Sequence, residues 1–211
     1  MDGSQGADLM KDRRWLDTHE HFVAQANDHE PDVLFLGDDH VAWLPFAKVF
    51  SDLFAPLHCL CFGIPGDTTE NLMWRLRNGE LTPTKPKVIV LCIGSFDVAT
   101  DADGISSGIE QICQFIVDAQ PQAKLFVMKL LPSGRKRSGR RELVQRVNDR
   151  LEQRLPATGA KLLDSDPGFI NAEGEIDASD MFDFCHLTQS GYAKAFELVH
   201  VAVQSVLLPD L

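Results

Sequence analysis

No apolar run in the 211 residues is long enough to span a bilayer. Nor is there an excess of positive charge: 20 Lys and Arg stand against 31 Asp and Glu, for a net charge of −11. Such a surface repels phosphate backbones and anionic membrane surfaces, so neither nucleic acid nor membrane insertion is expected. The charged start, Lys11-Asp12-Arg13-Arg14, has no apolar stretch behind it, and no secretory leader is expected. Cysteines are few and odd in number: Cys59, Cys61, Cys92, Cys113 and Cys185. Four lie in apolar segments, which reads as free buried thiols in a reducing compartment, the cytoplasm. Cys59 and Cys61 are expected to face opposite sides of a strand and to form no metal knuckle. With no repeat and no linker, the chain reads as a flexible polar stretch over residues 1–12 followed by one domain over 13–211.

What is present is a series of short apolar runs: Val33–Leu36, Leu57–Phe62, Val88–Ile93, Lys124–Leu131 and Lys161–Leu163. They show little alternation, as strands covered on both faces do. Stretches of helical spacing lie around and between them: Trp15–Asn27, Thr68–Asn78 with Gly79 as a stop, Ile105–Ala119, Glu142–Leu155 and Gln189–Leu208. Strands alternating with helices predict an α/β fold, a three-layer α/β/α sandwich around a parallel five-stranded sheet. In such a sheet the functional crevice lies beyond the carboxyl ends of the strands.

The segments at those ends carry a pattern. The first strand runs into Gly37-Asp38-Asp39-His40, the second ends in Gly63-Ile64-Pro65-Gly66-Asp67, and the third in Gly94-Ser95-Phe96-Asp97. Near the end of the chain comes Asp183-Phe184-Cys185-His186-Leu187. In this order the blocks resemble those of the SGNH (GDSL-type) ester hydrolases, whose fold is flavodoxin-like. Supporting runs, among them Val33-Leu34-Phe35-Leu36-Gly37-Asp38, Met73-Trp74-Arg75-Leu76 and Asp166-Pro167-Gly168-Phe169, are similar to the α (catalytic-type) subunits of platelet-activating-factor acetylhydrolase Ib. The resemblance extends from about Trp15 to the last residue.

An ester hydrolase of this kind needs a serine nucleophile, a histidine to take its proton, an aspartate to orient the histidine, and oxyanion donors. The resemblance places the serine at position 39, where this chain has aspartate. It assigns oxyanion donors to Gly66 and to an asparagine at position 96, where Phe96 can donate nothing. Pro65 replaces a residue that is usually glycine. Asp183 and His186 survive as a vestigial pair. Loss of a triad nucleophile costs on the order of 10⁶ in turnover, and loss of one oxyanion donor about 10²–10³, so no intact catalytic set is expected. Asp39 is instead read as a carboxylate that holds His186 in a charged pair.

The resemblance further implies a dimer, of identical or paralogous α subunits. It also implies a partner, the WD-repeat propeller protein associated with lissencephaly. A dimeric interaction or regulatory protein is therefore the leading expectation, with no cofactor and no metal. One alternative is a hydrolase of altered chemistry, in which Asp39 and His186 act on an acetyl-phospholipid or alkylating substrate. Another is a module whose old acyl pocket holds a lipid or a small anion.

Other residues have plainer readings. Arg135, Lys136, Arg137, Arg140 and Arg141 read as a solvated loop leading into a helix. His19 and His21 are two apart on a helix and, with His29, form no metal site. Trp43 and Trp74 are expected in the core or at a subunit contact, and His58 within the second strand as a satisfied core or interface residue. Asp67-Thr68-Thr69-Glu70 reads as a helix cap. Ser95 is the nearest other hydroxyl, at a place where the family has no nucleophile.

Overall fold

The strands that form are those whose residues are apolar on both faces. The computed structural model describes residues 12–97 and 100–208. In it β1 (Val33–Gly37), β2 (Cys59–Gly63), β3 (Val88–Cys92), β4 (Lys124–Met128) and β5 (Lys161–Leu163) make one parallel sheet in the order β2-β1-β3-β4-β5. All five residues of β1 and of β3 are buried. Period-two alternation accounts for this, since each strand feeds two cores. Leu34, Leu36, Ile89 and Leu91 pack under the helices α1 (Arg13–Asp28), α3 (Thr69–Arg75), α4 (Ala102–Ala119) and α5 (Gly139–Arg154). Val33, Phe35, Val88 and Val90 pack against α2 (Asp39–Trp43) and α6 (Gln189–Leu207) on the other face. The three-layer α/β/α sandwich predicted above is the fold observed.

Several boundaries differ, each for a local reason. Residues 1–11 of the expected flexible stretch lie outside the described residues, whereas Asp12 caps α1 by accepting the Arg14 N–H. The second strand begins at Cys59 and not at Leu57, because Pro56 sets a 3₁₀ turn over Ala55–Leu57 that closes on His58 with φ 51°. His58 is thus exposed and outside the strand, contrary to expectation. Cys59 and Cys61 pack against the same core, not on opposite sides, because residues two apart in a strand share a face. Trp43 is 54% exposed, so the core reading fails for it. Trp74 does pack against the core, with its ring 5.4 Å from that of Trp15.

The five-residue helix α2 was not anticipated, being too short to show a period. It follows β1 directly, and two glycines make room for it. A Cβ on Gly63 would lie 2.2 Å from the Ala42 nitrogen, and one on Gly37 would lie 1.9 Å from the Cys92 carbonyl oxygen. The strand ends are therefore tightly opposed where α2 begins.

Beneath these ends lies a buried polar network. Arg75, with no exposed surface, donates to Asp67 at 2.8 Å, to Glu80, and to the carbonyls of Gly37 (3.1 Å) and Phe62 (3.3 Å). Asp67 also accepts from Trp15 Nε1 at 2.6 Å, and Glu80 Oε1 lies 2.8 Å from His19 Nδ1. Removing one partner of a buried ion pair leaves uncompensated charge and costs about 3–5 kcal/mol. Arg75→Met should lose that much in urea denaturation, whereas Arg13→Met on the surface should change stability by less than about 0.5 kcal/mol.

Candidate functional site

The segments leaving β1, β2 and β3 meet the late loop around residue 183 above the sheet. Asp38 caps α2 and is fully buried. Its backbone N–H donates to the Cys92 carbonyl at 3.2 Å, and its carboxylate accepts from His40 N (3.2 Å) and Ser95 N (3.3 Å). These three bonds fix the residue from which the next side chain leaves the helix.

That next side chain is Asp39. Its Oδ2 accepts the Gly66 backbone N–H at 2.6 Å, and its Oδ1 lies 3.2 Å from His186 Nε2. The other ring nitrogen, Nδ1, lies 2.6 Å from Asp183 Oδ2. Both nitrogens of His186 thus face carboxylate oxygens, which only accept, and an imidazolium is the form that donates to both. Asp183 is set by its own turn, in which Phe184 adopts φ 63°. Burial pushes the Asp183 carboxyl up, but the backbone and ring of His186 and the Cys185 N–H donate to it. Together they hold it below the usual carboxylate range. The His186 ring lies between Phe96 (centroids 5.5 Å, 27°) and Phe182 (5.7 Å, 16°). Beside it opens a cavity of about 340 Å³ lined by Asp39, Trp43, Phe46, Phe182, His186 and Tyr192 among others.

The five residues singled out from sequence, Asp39, Gly66, Phe96, Asp183 and His186, therefore converge. Others do not join them. His19 is buried against Glu80, while His21 and His29 are exposed. Arg135 and Lys136 pair with Glu175, Arg137 pairs with Glu142, and Arg141 donates to the Gly134 and Gly174 carbonyls, so the basic loop mostly satisfies itself. Thr68 caps α3 as expected, but Asp67 belongs to the Arg75 network. Phe182, Asp97 and His40 were not foreseen from sequence. Asp97 and His40 lie within the quoted blocks, so adjacency was the available signal.

The fold and this arrangement define a class before any particular relative. The GDSL-like lipase/acylhydrolase family model matches residues 36–194, and the chain belongs to that family. It is 45% identical over 201 residues to the human platelet-activating factor acetylhydrolase IB subunit alpha2, covering 95% of this chain and 88% of that one. It is 39% identical over 204 residues to subunit alpha1 from Pongo abelii, covering 96% and 88%. Its fold matches the crystal structure of a GDSL-like lipase from Bacteroides thetaiotaomicron with TM-score 0.73 at 19% identity, over 89% of this chain and 97% of that one.

Asp97 braces the site by accepting from Thr69 N (3.1 Å) and Thr69 Oγ1 (2.7 Å), which ties the third block to α3. Burial outweighs these bonds and pushes its carboxyl up to about 6. An unfolded aspartate titrates near 3.9. Between those values the folded chain keeps a proton that the unfolded chain has lost. The contribution is therefore fully present below about pH 4 and lost as pH rises through about 6, by of order 3 kcal/mol. In denaturation curves from pH 4 to 8, Asp97→Asn should remove that decline. An unchanged pH slope in the variant would contradict the assignment.

Proposed function

We propose that this chain is a catalytically retired member of its family that acts through binding, as a dimeric interaction or regulatory subunit in the cytoplasm. The observation that carries the reading is the position of the Asp39 carboxylate. A hydroxyl nucleophile must give its proton to the histidine, and the ester oxygen must then find donors as it becomes an oxyanion. At position 39 there is no hydroxyl, and the carboxylate itself takes the Gly66 N–H and faces His186 Nε2. A negative oxygen from the chain fills the place reserved for one from the substrate. Phe96 adds a ring where a donor would be required.

The same geometry weighs against Asp39 as a nucleophile. Both of its oxygens are engaged, and while the Gly66 N–H donates to Asp39 a new oxyanion has no such donor. The neighbouring cavity suits retention of an apolar ligand, a secondary possibility that needs no catalysis.

Binding surfaces of the kind the resemblance implies do not depend on residue 39. A dimer with a like or paralogous α subunit, and the lissencephaly WD-repeat propeller protein as a partner, therefore remain compatible with a retired site. Exposed apolar side chains are available for such contacts: Phe46 is 77% exposed on one side of the cavity and Val201 is 66% exposed on α6.

The test is hydrolysis of a chromogenic acetyl ester and of an acetyl-glycerophospholipid by the purified chain beside His186→Ala. The expected outcome is equal, background rates. A rate at least tenfold above the His186→Ala variant would overturn the proposal.

A further inference from the structure

We propose that Asp38, His40 and Cys92 together form a buried binding site for one divalent transition metal ion of the zinc type, beneath the Asp39–His186 pair. A carboxylate oxygen, an imidazole nitrogen and a thiol sulfur from these residues lie within 4.8 Å of one another, and all three residues are buried. They come from three different positions that the sheet brings together: the residue after β1, the second residue of α2 and the last residue of β3. No spacing in the sequence announces them, and the expectation that the chain holds no metal was formed from other histidines and cysteines.

His40 supplies the independent observation. It is 3% exposed, and its Nε2 lies 3.3 Å from the Cys185 carbonyl oxygen. A carbonyl only accepts, so Nε2 carries the proton in that bond. The other nitrogen, Nδ1, is buried with no hydrogen-bond partner. It looks toward Asp38 Oδ1 at 3.5 Å, too far for a good hydrogen bond. A buried polar atom left in this way is destabilising. A metal ion on Nδ1 removes that cost, and the Cys185 carbonyl then holds the ring as backbone carbonyls commonly hold metal-bound imidazoles.

The other two donors are similarly prepared. Asp38 is oriented by the N–H groups of His40 and Ser95, one on each oxygen, and each oxygen keeps a lone pair. Cys92 closes β3 facing the same core as Asp38's neighbours Val41 and Tyr192. On binding, the metal–sulfur bond forms as the S–H bond breaks, and the proton leaves to solvent. One carboxylate and one thiolate then balance the two positive charges of the ion, which suits a site shut off from water.

The donor set decides the metal. Nitrogen and sulfur ligands with a single carboxylate select zinc or cobalt over magnesium or calcium. Bonds of roughly 2.0–2.3 Å would draw the three ligand atoms somewhat closer together than they now lie. The consequence is a clip joining the ends of β1 and β3 to α2, the elements that aim Asp39.

The test is cobalt(II) titration of the purified full chain after dialysis against a chelator, followed by absorption. One equivalent should produce a thiolate-to-cobalt charge-transfer band, displaced by one equivalent of zinc. Cys92→Ser should abolish the charge-transfer band, and Cys113→Ser, in the opposite core, should keep it. His40→Leu should weaken binding by more than about 100-fold, the upper range for losing a mere supporting partner. Because it leaves the thiol in place, it decides the matter even if Cys92→Ser does not fold. No band at one equivalent, or a band that survives both substitutions, overturns the proposal. Neither outcome bears on whether the chain hydrolyses esters.

Discussion

The guanidinium of Arg75 is the tie on which the site-bearing end of the molecule depends. It is buried and binds the carbonyls at the ends of β1 and β2, so it fixes the two strand ends from which the Asp39 and Gly66 segments depart. Its carboxylate partners carry the tie outward, Asp67 to Trp15 and Glu80 to His19 on α1. The N-terminal helix is thereby joined to the sheet by buried hydrogen bonds as well as by the stacked rings of Phe22 and Phe62, 4.8 Å apart. A buried network of this kind adds little net stability when complete, but it is costly when broken, so it favours one arrangement of the strand ends over its neighbours.

On that foundation the chain builds the frame of an ester hydrolase around a carboxylate. The Asp39–His186–Asp183 line and the Gly66 N–H have the spacing that a triad and its oxyanion donor need, and Phe96 and Phe182 enclose the imidazole. In an active enzyme the negative charge at this point exists only during reaction, and the donors are preorganised for it. A permanent carboxylate there satisfies the same donors in the resting state. Asp39, His186, Asp183 and the Gly66 N–H are all paired with one another, which supports the proposed reading of a retired site. If the metal clip beneath it is present, Asp38 serves both as the cap of α2 and as a ligand, and rigidity of this end is reinforced further.

Much of this was legible in the sequence. Unalternating runs such as Val88–Ile93 identify strands covered on both faces, and the ordered blocks bring Asp39, Gly66, Phe96, Asp183 and His186 to one place. What escaped had physical reasons. Helix α2 is too short to carry a period. His58 reads as part of a strand from hydrophobicity alone, but the 3₁₀ turn set by Pro56 delays the strand to Cys59. Cys59 and Cys61 were put on opposite faces although their spacing of two puts them on one. Arg75 passed unremarked as a functional constraint because nothing local distinguishes a buried arginine from a solvated one; its partners lie on other elements. The Asp38, His40 and Cys92 convergence is of the same kind, created by the register of β1 with β3.

The central claim is that the Asp39 carboxylate holds the place of a nucleophile, with the histidine still placed to serve a hydroxyl there. Intact-mass spectrometry after exposure to a fluorophosphonate, on the chain and on Asp39→Ser, tests it most directly. The account predicts no adduct on the chain and a single adduct at residue 39 in the variant, lost again in Asp39→Ser with His186→Ala. An adduct on the unaltered chain that depends on His186 would show that another hydroxyl serves the site, and would contradict it.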